Sequence, residues 1–363
     1  MGGQAVGSPV SNRPIPIENI YYLFCYAWNR FEEAKAVPLG GTSSPDLPNL
    51  LAKVLLNGSR AIMRRGLDRH YQQYEEELAT VRGGIQLGAT LRLQARNMRR
   101  LQCEFDELSH DLLHNQILKA SLKRLARAPT IDRGLASELQ VLARRMPDVR
   151  DIWLERSAFS RVQLHRNNAH YGLLLKVAEL AFDCLLPDPS GGGFVFHDIT
   201  RDERKMAGVF EEFVRNFYRA EQRDFVVEPL TITWNAFRLT GSVGRLPNMR
   251  VDVFLRGTAR RIIVDTKYYA SALQAHYGSE SFISENMYQL FSYLRNASFI
   301  NSSFEKVEGI LLYPSTGMTI DDRFNIHGHN VTFATVDLST SWKEIEARLL
   351  SIVNFDFHEF PFI

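Results

Sequence analysis

The sequence predicts an α+β protein of two domains, in which a mixed, helix-rich N-terminal domain precedes a mixed sheet flanked by helices. Its 363 residues correspond to two domains at about 150 residues each. Hydrophobic residues make up 45% and charged residues 23%, which is typical of a globular protein with sizeable cores. After residue 202 the helical and strand patterns follow the order α-β-β-β-α-β, with one more strand and helix, and this order favours a sheet covered by helices.

Composition and cysteine use exclude several classes of protein. The apolar content and the net charge of +2 exclude a disordered chain. Cys25, Cys103 and Cys184 are scattered and form no CxxC pair, so neither a disulfide framework nor a structural zinc site is indicated. No secretory signal is visible, and charged residues interrupt the longest apolar stretch, Gly172–Pro187. We therefore predict a cytoplasmic protein with no membrane contact.

The N-terminal domain is predicted over residues 1–160 and the C-terminal domain over residues 161–363. In the first domain, Asn19 is predicted to cap a helix that runs through Trp28. Short strands are predicted around the glycines of Val81–Phe105. Further helices are predicted at 49–65, 112–127 and 135–145.

The N-terminal half is rich in arginine. Between residues 51 and 165 there are about twenty basic and about thirteen acidic side chains. Such a surplus suits a phosphate backbone or the acidic surface of a protein partner. An ordinary solvated surface is an equally open alternative.

The C-terminal domain has the clearer pattern. Apolar residues spaced for one face, beginning at Met206, predict an amphipathic helix over 203–220. A hairpin through Arg256–Arg260 is predicted to join two strands. The predicted strands are 225–234, 249–255, 261–268, 307–313 and 331–338, and the remaining helices are 285–296 and 342–353.

Charged side chains end one of these strands. Side chains of a strand alternate between its faces, so Asp265 and Lys267 point the same way. The apolar run Ile262–Val264 before them predicts a central strand that is buried on both faces. Charges at the end of such a strand are costly unless they are paired or used. The hairpin can bring Asp252, on the neighbouring strand, beside Asp265.

Two aspartates and the main-chain carbonyl of Thr266 form a set of oxygen ligands suited to Mg²⁺. Such an ion lowers the pKa of a bound water and neutralises charge that builds on a phosphate, and Lys267 would orient the water. We therefore expect phosphodiester hydrolysis, with Asp252 and Asp265 as metal ligands. A structural salt bridge between Asp265 and Lys267 is the alternative.

The spacing of an acidic residue two positions before a lysine occurs three times, where about one match is expected by chance. Glu33–Lys35 and Glu203–Lys205 lie on or near predicted helices, where residues i and i+2 diverge. Of the three matches, only Asp265–Lys267 lies on a predicted buried strand.

Two helices beside this strand add candidates. On the helix 285–296, Asn286, Gln289 and Tyr293 share a polar face that could hold a phosphate or the water on the metal. A half-exposed polar face is an equal alternative. On the helix 203–220, Glu211 could add a metal ligand, although a solvated side chain is the favoured interpretation.

Other motifs are weak or absent. His327 and His329 have no further ligand at a known metal spacing, which favours a surface loop. No lysine follows a glycine, so the chain has no P-loop and is not an NTPase of that class.

These residues resemble the PD-(D/E)xK nuclease superfamily, whose core order is the α-β-β-β-α-β order predicted above. Val251–Asp252 matches the Pro-Asp position with the proline replaced, and Asp265–Lys267 matches the remaining motif. Gln289–Tyr293 resembles the QxxxY motif of the RecB-like branch. The resemblance implies catalytic roles for the two aspartates, the lysine, the glutamine and the tyrosine.

A wider resemblance, from residue 16 to residue 313, is to the McrC family of nuclease subunits in McrBC modification-dependent restriction systems. The shared order of several short segments makes this resemblance specific. The segments are Pro16–Leu23, Phe105–Leu108, Asn115–Lys119, Phe210–Phe213, Ile263–Tyr269 and Asn286–Leu290.

The resemblance implies a type IV restriction endonuclease subunit. In that family an N-terminal region docks on McrB, an AAA+ GTPase hexamer, and stimulates its GTP hydrolysis. A C-terminal Mg²⁺-dependent domain cuts both strands of double-stranded DNA that carries modified cytosine, and the missing P-loop agrees with this division of labour. Two other functions stay open: a non-catalytic adaptor with a nuclease fold that regulates an AAA+ partner, and a stand-alone RecB-like DNA exonuclease.

Overall fold

The computed structural model describes most of the chain. The described residues are 14–35, 46–146, 148–187, 194–241, 243–268, 273–276, 279–298, 307–355 and 357. The helices are α1 Ile17–Ala27, α2 Phe31–Lys35, α3 Leu47–Arg65, α4 Leu87–Ala95, α5 Leu113–Ala126, α6 Arg133–Arg144, α7 Arg156–Ser160, α8 Gly172–Cys184, α9 Glu203–Glu221, α10 Ser284–Ala297 and α11 Trp342–Asn354. The strands are β1 His70–Leu78, β2 Gly84–Ile85, β3 Leu101–Ser109, β4 Leu185–Pro187, β5 Phe194–Phe196, β6 Val226–Glu228, β7 Thr231–Ile232, β8 Met249–Arg250, β9 Val253–Arg256, β10 Arg261–Thr266, β11 Leu273–His276, β12 Ser279–Phe282, β13 Glu308–Ser315, β14 Asp321–Ile326 and β15 His329–Asp337.

The chain divides into two compact units. The sheet unit takes the described residues of Met1–Phe31 and of Asp198–Ile363, and the middle unit takes those of Glu32–His197. The predicted boundary at residue 160 is therefore corrected to residues 197 and 198, and the N-terminal helix groups with the C-terminal part of the chain. The physical reason lies in α8, which follows residue 160 but packs on α3 and α5 of the middle unit.

The sheet unit contains a six-stranded mixed sheet in the order β14-β15-β13-β10-β9-β6. β10, β13 and β15 are parallel, and the other neighbours pair antiparallel. The predicted α+β class is confirmed. The elements of the predicted α-β-β-β-α-β order are α9, β6, β9, β10, α10 and β13, and the short strands β7, β8, β11 and β12 lie between them along the chain. The edge strand β14 has no counterpart among the predicted strands, because most of its residues are polar and exposed.

Alternation along β10 places its apolar residues in two cores. Ile262 and Val264 lie in a core with Phe213 of α9 on one face of the sheet. Ile263 lies in the other core with Leu290 of α10. β10 is therefore a central strand covered on both faces, as the apolar run in the sequence predicts.

Helix α1 completes the sheet unit. Tyr26 packs on Phe213 of α9, with their ring centroids 5.8 Å apart. The side chain of Asn19 donates hydrogen bonds to the carbonyl oxygens of Leu338 at 2.8 Å and Thr340 at 2.7 Å. The prediction that Asn19 caps this helix is wrong, since the residue lies inside α1 and ties it to the segment after β15.

The middle unit packs α3 against α5, α6 and α8 and contains the three-stranded sheet β1-β3-β2. The prediction of strands throughout Val81–Phe105 is wrong in part, because α4 lies between β2 and β3. Thr90 and Leu93 of α4 are buried one helical turn apart, and Thr90 Oγ1 accepts the N–H of Gln102 at 3.0 Å. A single buried turn is too short a pattern to distinguish a helix from a strand.

A buried polar cluster joins elements of the middle unit. Asn115 Nδ2 donates to the carbonyl oxygen of Asp68 at 2.9 Å, and the Tyr171 hydroxyl donates to Asn115 Oδ1 at 2.9 Å. The Lys119 ammonium is buried and donates to the carbonyl of Val149. Asn115 and Lys119 belong to a segment that carries the family resemblance, and in this structure that segment satisfies buried backbone groups.

Two further predictions concern the cysteines and contact with a membrane. Cys25, Cys103 and Cys184 are buried, and none of them is part of a disulfide. Among the residues that the structure describes, no helix combines the length and the apolar character needed to span a bilayer.

We predict that Asn19→Ala lowers the free energy of unfolding by about 1–3 kcal/mol, because the buried carbonyl of Leu338 and the half-buried carbonyl of Thr340 each lose a hydrogen bond. Urea denaturation followed by circular dichroism measures this change. Asn167→Ala is the matched control, since Asn167 is exposed, and it should change stability by less than about 0.5 kcal/mol. Equal stabilities of the two variants would contradict the docking role of α1.

Candidate active site

The hairpin of β9 and β10 brings the two predicted aspartates to one end of the sheet. The strands pair from Arg256↔Arg261 to Val253↔Val264. The next position beyond the Val253↔Val264 pair is occupied by Asp252 on one strand and by Asp265 on the other. The register therefore places the two aspartates opposite each other. The arrangement follows from the antiparallel pairing that the sequence predicts.

Asp252 ends the pairing between the strands with its side chain. Its Oδ2 accepts hydrogen bonds from the backbone N–H of Thr266 at 2.8 Å and from Thr266 Oγ1 at 3.0 Å. The carboxylate thus accepts the N–H that a main-chain carbonyl would accept if the pairing of β9 and β10 continued. These hydrogen bonds hold the Asp252 side chain at the end of β10. Thr266 therefore contributes its N–H and its hydroxyl to the site.

Asp265 is fully buried, with 0% of its surface exposed. Its Oδ2 lies 2.8 Å from the Lys267 ammonium, and its Oδ1 accepts no hydrogen bond from the described residues. Burial raises the pKa of the Asp265 carboxyl to about 6, with the charge of Asp252 acting in the same direction and Lys267 opposing it. A buried carboxylate oxygen without a partner is costly, and a bound cation is the group that would satisfy it.

Lys267 begins a chain of hydrogen bonds that ends on the backbone. Its ammonium donates to Gln289 Oε1 at 3.0 Å, and Gln289 Nε2 lies 2.5 Å from the hydroxyl of Tyr293. That hydroxyl in turn donates to the carbonyl of Arg250 at 3.3 Å. An ammonium only donates and a carbonyl only accepts, so the direction of every bond in the chain is set by its two ends.

This chain assigns roles on α10. Burial raises the pKa of the Tyr293 phenol, so Tyr293 keeps its proton at neutral pH and remains a donor. The two ends of the Gln289 amide contact Lys267 and Tyr293. Asn286, from the same predicted polar face, is buried and donates to the hydroxyl of Tyr313 at 3.2 Å. Gln289 and Tyr293 thus position Lys267, and Asn286 lies apart from the site.

Glu211 lies near the site but is engaged by Arg215. Arg215 forms ion pairs with Glu211 and Glu212 on its own helix, and its Nε donates to the main-chain carbonyl of Asp252 at 2.9 Å. Burial raises the pKa of Glu211, and the charge of Asp252 acts in the same direction. Within the described ranges, no three His, Cys, Asp or Glu side chains form a group that could hold a metal ion. Glu211 is therefore not arranged as a third carboxylate ligand.

Arg215 is the site residue that sequence reasoning missed. It stands four residues after Glu211 and three after Glu212, the spacing of helical ion pairs, and this spacing was its only signal. Its contact with the carbonyl of Asp252 joins residues 37 positions apart. Such a contact depends on tertiary packing and has no pattern in the sequence.

The other sequence candidates have structural roles. Lys35 pairs with Glu32, and Lys205 pairs with Asp202, each on or next to a helix. His329 is buried, and its Nδ1 lies 2.9 Å from the carbonyl of Val307. His327 has a φ of 51° in the turn between β14 and β15.

The fold and the site together define the class of protein. It is an α+β protein with two carboxylates and a lysine at one end of its mixed sheet. Comparison with known proteins then gives the family. Residues 19–314 match the family described as McrBC 5-methylcytosine restriction system component, and this chain belongs to that family.

Two similar proteins extend the comparison. The chain is 30% identical over 339 residues to the type IV methyl-directed restriction enzyme EcoKMcrBC of Escherichia coli (strain K12), which covers 93% of this chain and 97% of that protein. The fold of the present chain is similar to that of a chain in a half-complex from a tetradecameric assembly of Thermococcus gammatolerans McrB AAA+ hexamers with bound McrC. That match has a TM-score of 0.59 and 16% identity, and it covers 93% of this chain and 75% of the other.

We predict that Asp265→Asn raises the free energy of unfolding at pH 8 in EDTA by about 1–3 kcal/mol. The folded-state pKa of Asp265, about 6, lies above the ordinary value of 3.8 for an aspartate. The native state therefore binds the extra proton, and the wild type loses stability as the pH rises through about 4 to 6. The neutral amide avoids this loss, so the difference should shrink toward pH 4. Urea denaturation across this pH range measures it.

Asp337→Asn is the matched control for this prediction. The Asp337 carboxylate accepts hydrogen bonds from the backbone N–H groups of Gly317 at 2.9 Å and Ser339 at 2.8 Å. Its amide variant should therefore lose stability at pH 8. If Asp265→Asn lost stability in the same way, Asp265 would be a structural aspartate.

Proposed function

We propose that this chain is the Mg²⁺-dependent endonuclease subunit of a GTP-driven restriction complex that cuts DNA containing modified cytosine. The observation that carries the proposal is the buried carboxylate of Asp265, which lies opposite Asp252 in the hairpin and beside Lys267. Membership of the McrBC family supports the restriction role and the substrate.

The residues of the site fit a magnesium ion. Asp265 Oδ1 is buried without a hydrogen-bond partner among the described residues, and a hard cation satisfies such an oxygen. Asp252 and Asp265, with the main-chain carbonyl of Thr266, would hold the ion. When bound, it would lower the pKa of a water and neutralise charge on the scissile phosphate. Two carboxylates leave room for waters and a phosphate oxygen, which Mg²⁺ prefers to keep.

The protein's own groups then do the positioning. The Lys267 ammonium is held between Asp265 Oδ2 and Gln289 Oε1, where it would orient the attacking water or stabilise charge on the phosphate. The bonds from Gln289 to Tyr293 and on to the backbone keep Lys267 in this orientation. Arg215 holds the backbone of Asp252 from the other side. Each group is fixed before substrate binds, which is the condition for electrostatic stabilisation of a transition state.

We assign the docking of an AAA+ GTPase hexamer, and the stimulation of its GTP hydrolysis, to the middle unit. The region around β1, β3 and α4 exposes several large apolar side chains, which indicate a contact surface when they cluster. They are Tyr71, Val81, Leu87, Leu91 and Met98. The similar Thermococcus gammatolerans structure contains McrB AAA+ hexamers with bound McrC, which supports a partner of this kind.

We predict that Asp265→Ala abolishes DNA cleavage and leaves stimulation of the partner's GTPase unchanged, because it removes a metal ligand and no partner contact. Conversion of supercoiled plasmid with methylated cytosines, in Mg²⁺ and GTP, measures cleavage, and phosphate release measures the GTPase. Asp322→Ala is the control, since Asp322 is exposed on β14. Cleavage that survives in Asp265→Ala would exclude the proposed site.

The same assay separates the two other functions. An adaptor would stimulate the GTPase but show no nicking by the wild type at any Mg²⁺ concentration. A stand-alone exonuclease would digest unmodified linear DNA without GTP or partner.

A further variant tests the positioning chain. Gln289→Leu removes the acceptor for Lys267 and the partner of Tyr293, so we expect cleavage about 10- to 100-fold slower at an unchanged half-maximal Mg²⁺ concentration. Asp252→Asn should instead raise the Mg²⁺ requirement, because it alters a ligand. Ser292→Ala is the control, since Ser292 is a half-buried position on the same helix whose hydroxyl donates to the Tyr288 carbonyl of that helix. If Gln289→Leu raised the Mg²⁺ requirement as Asp252→Asn does, Gln289 would act on the metal and not on Lys267.

A further inference from the structure

A long loop next to the candidate site exposes apolar side chains. Residues 233–248 connect β7 to β8, two strands that pair antiparallel. On this loop Phe237 is 91% exposed and Leu239 is 94% exposed. Folding alone gives no reason to present a phenylalanine and a leucine to water at neighbouring alternate positions, so a contact outside the chain is indicated.

The loop is also positively charged. From Pro229 to Val251 the sequence has no acidic residue and three arginines, Arg238, Arg245 and Arg250. All three are exposed, and no side-chain ion pair or hydrogen bond involves them within the described ranges. An apolar tip that is flanked by free guanidinium groups suits a polyanion with an apolar interior, which describes duplex DNA.

The base of the loop is attached to the site. Trp234 Nε1 donates to the carbonyl of Pro247 at 2.8 Å, which closes the loop at its base. The N–H of Asn235 donates to Asn296 Oδ1 at 2.9 Å, three residues after Tyr293 on α10. The loop ends at β8, whose Arg250 carbonyl accepts the hydroxyl of Tyr293. The loop is therefore anchored to the helix that positions Lys267, and it ends just before Asp252.

We propose that this loop inserts Phe237 and Leu239 between bases of duplex DNA beside the bond that is cut. Arg238 and Arg245 contact the flanking phosphates. This inference rests on the proposed function, since it takes DNA as the substrate. Apolar side chains that enter a base step unstack it and bend the duplex, and the unstacking is offset by the contacts that the bend allows. Insertion next to the site would hold one phosphate in place at the aspartates without reading its sequence.

The positive charge favours DNA over a second copy of this chain as the occupant. Two copies of the loop would bring like charges together at the centre of an interface, which is unfavourable. Base stacking on an aromatic side chain, in contrast, is independent of sequence and is strengthened by neighbouring arginines.

The test uses the full chain with Asp265→Asn, which prevents cleavage, and 5-methylcytosine duplexes that carry 2-aminopurine at successive positions. Insertion of a side chain unstacks 2-aminopurine, so its fluorescence should rise at one or two positions when the protein binds. Adding Phe237→Ala and Leu239→Ala should abolish the rise and weaken binding about 5- to 100-fold. Arg238→Gln with Arg245→Gln should reduce the salt dependence of binding by about two phosphate contacts.

Trp153→Ala in the same background is the matched control, because Trp153 is 84% exposed on the middle unit. It should leave the fluorescence rise unchanged. The proposal is overturned if the parent protein gives no rise, or if Phe237→Ala with Leu239→Ala leaves the rise intact. It is also overturned if these variants change only the sedimentation of the protein, since the loop would then contact a second copy. Cleavage by the wild type in Mg²⁺ is measured separately, so a failure of the nuclease proposal is distinguished from a failure of the loop proposal.

Discussion

Burial of the Asp265 carboxylate is the interaction on which the site depends. This carboxylate has no exposed surface and lies at the end of a central strand. Lys267 pairs with one of its oxygens, and the other oxygen has no hydrogen-bond partner among the described residues. Burial raises the pKa of this carboxyl to about 6, so its charged form is unfavourable in the folded protein. The side chains around Asp265 hold this carboxylate in one geometry.

Each of those groups is positioned by an element that also serves the core. α10 places Leu290 in the core of the sheet and presents Gln289, the next residue back, to Lys267. α9 buries Phe213 and presents Arg215 to the backbone of Asp252. Because a helix turns through about 100° per residue, adjacent residues can serve the core and the site. The precision of the site therefore depends on helix packing and not on a loop.

The order of the chain differs from the order of its compact units. The chain begins in the sheet unit with α1, leaves it after Phe31 and returns at Asp198. Asn19 joins the two parts of this unit, because it donates hydrogen bonds to carbonyls more than 300 residues away in sequence. A boundary drawn from composition follows changes of pattern along the chain, and such changes contain no information about a helix that packs against a distant segment.

Much of the sheet unit was predictable because its signals are local. The amphipathic period of α9, the apolar run of β10 and the hairpin between β9 and β10 each follow from residue pattern and spacing, and so does the placement of Asp265 and Lys267 on one face. The polar strands β1 and β14 and the short helix α4 were not predictable, because exposed or short elements carry little hydrophobic periodicity.

The position of the candidate site in the fold was thus predictable from the types and spacing of Asp252, Asp265 and Lys267. What required the folded chain was the set of contacts between distant segments. These are the hydrogen bond from Arg215 to the backbone of Asp252, the attachment of the exposed loop to α10, and the docking of α1 on the sheet. The physical reason is that side-chain alternation acts between neighbours in sequence, whereas these contacts form only when packing brings remote backbone groups within hydrogen-bonding distance.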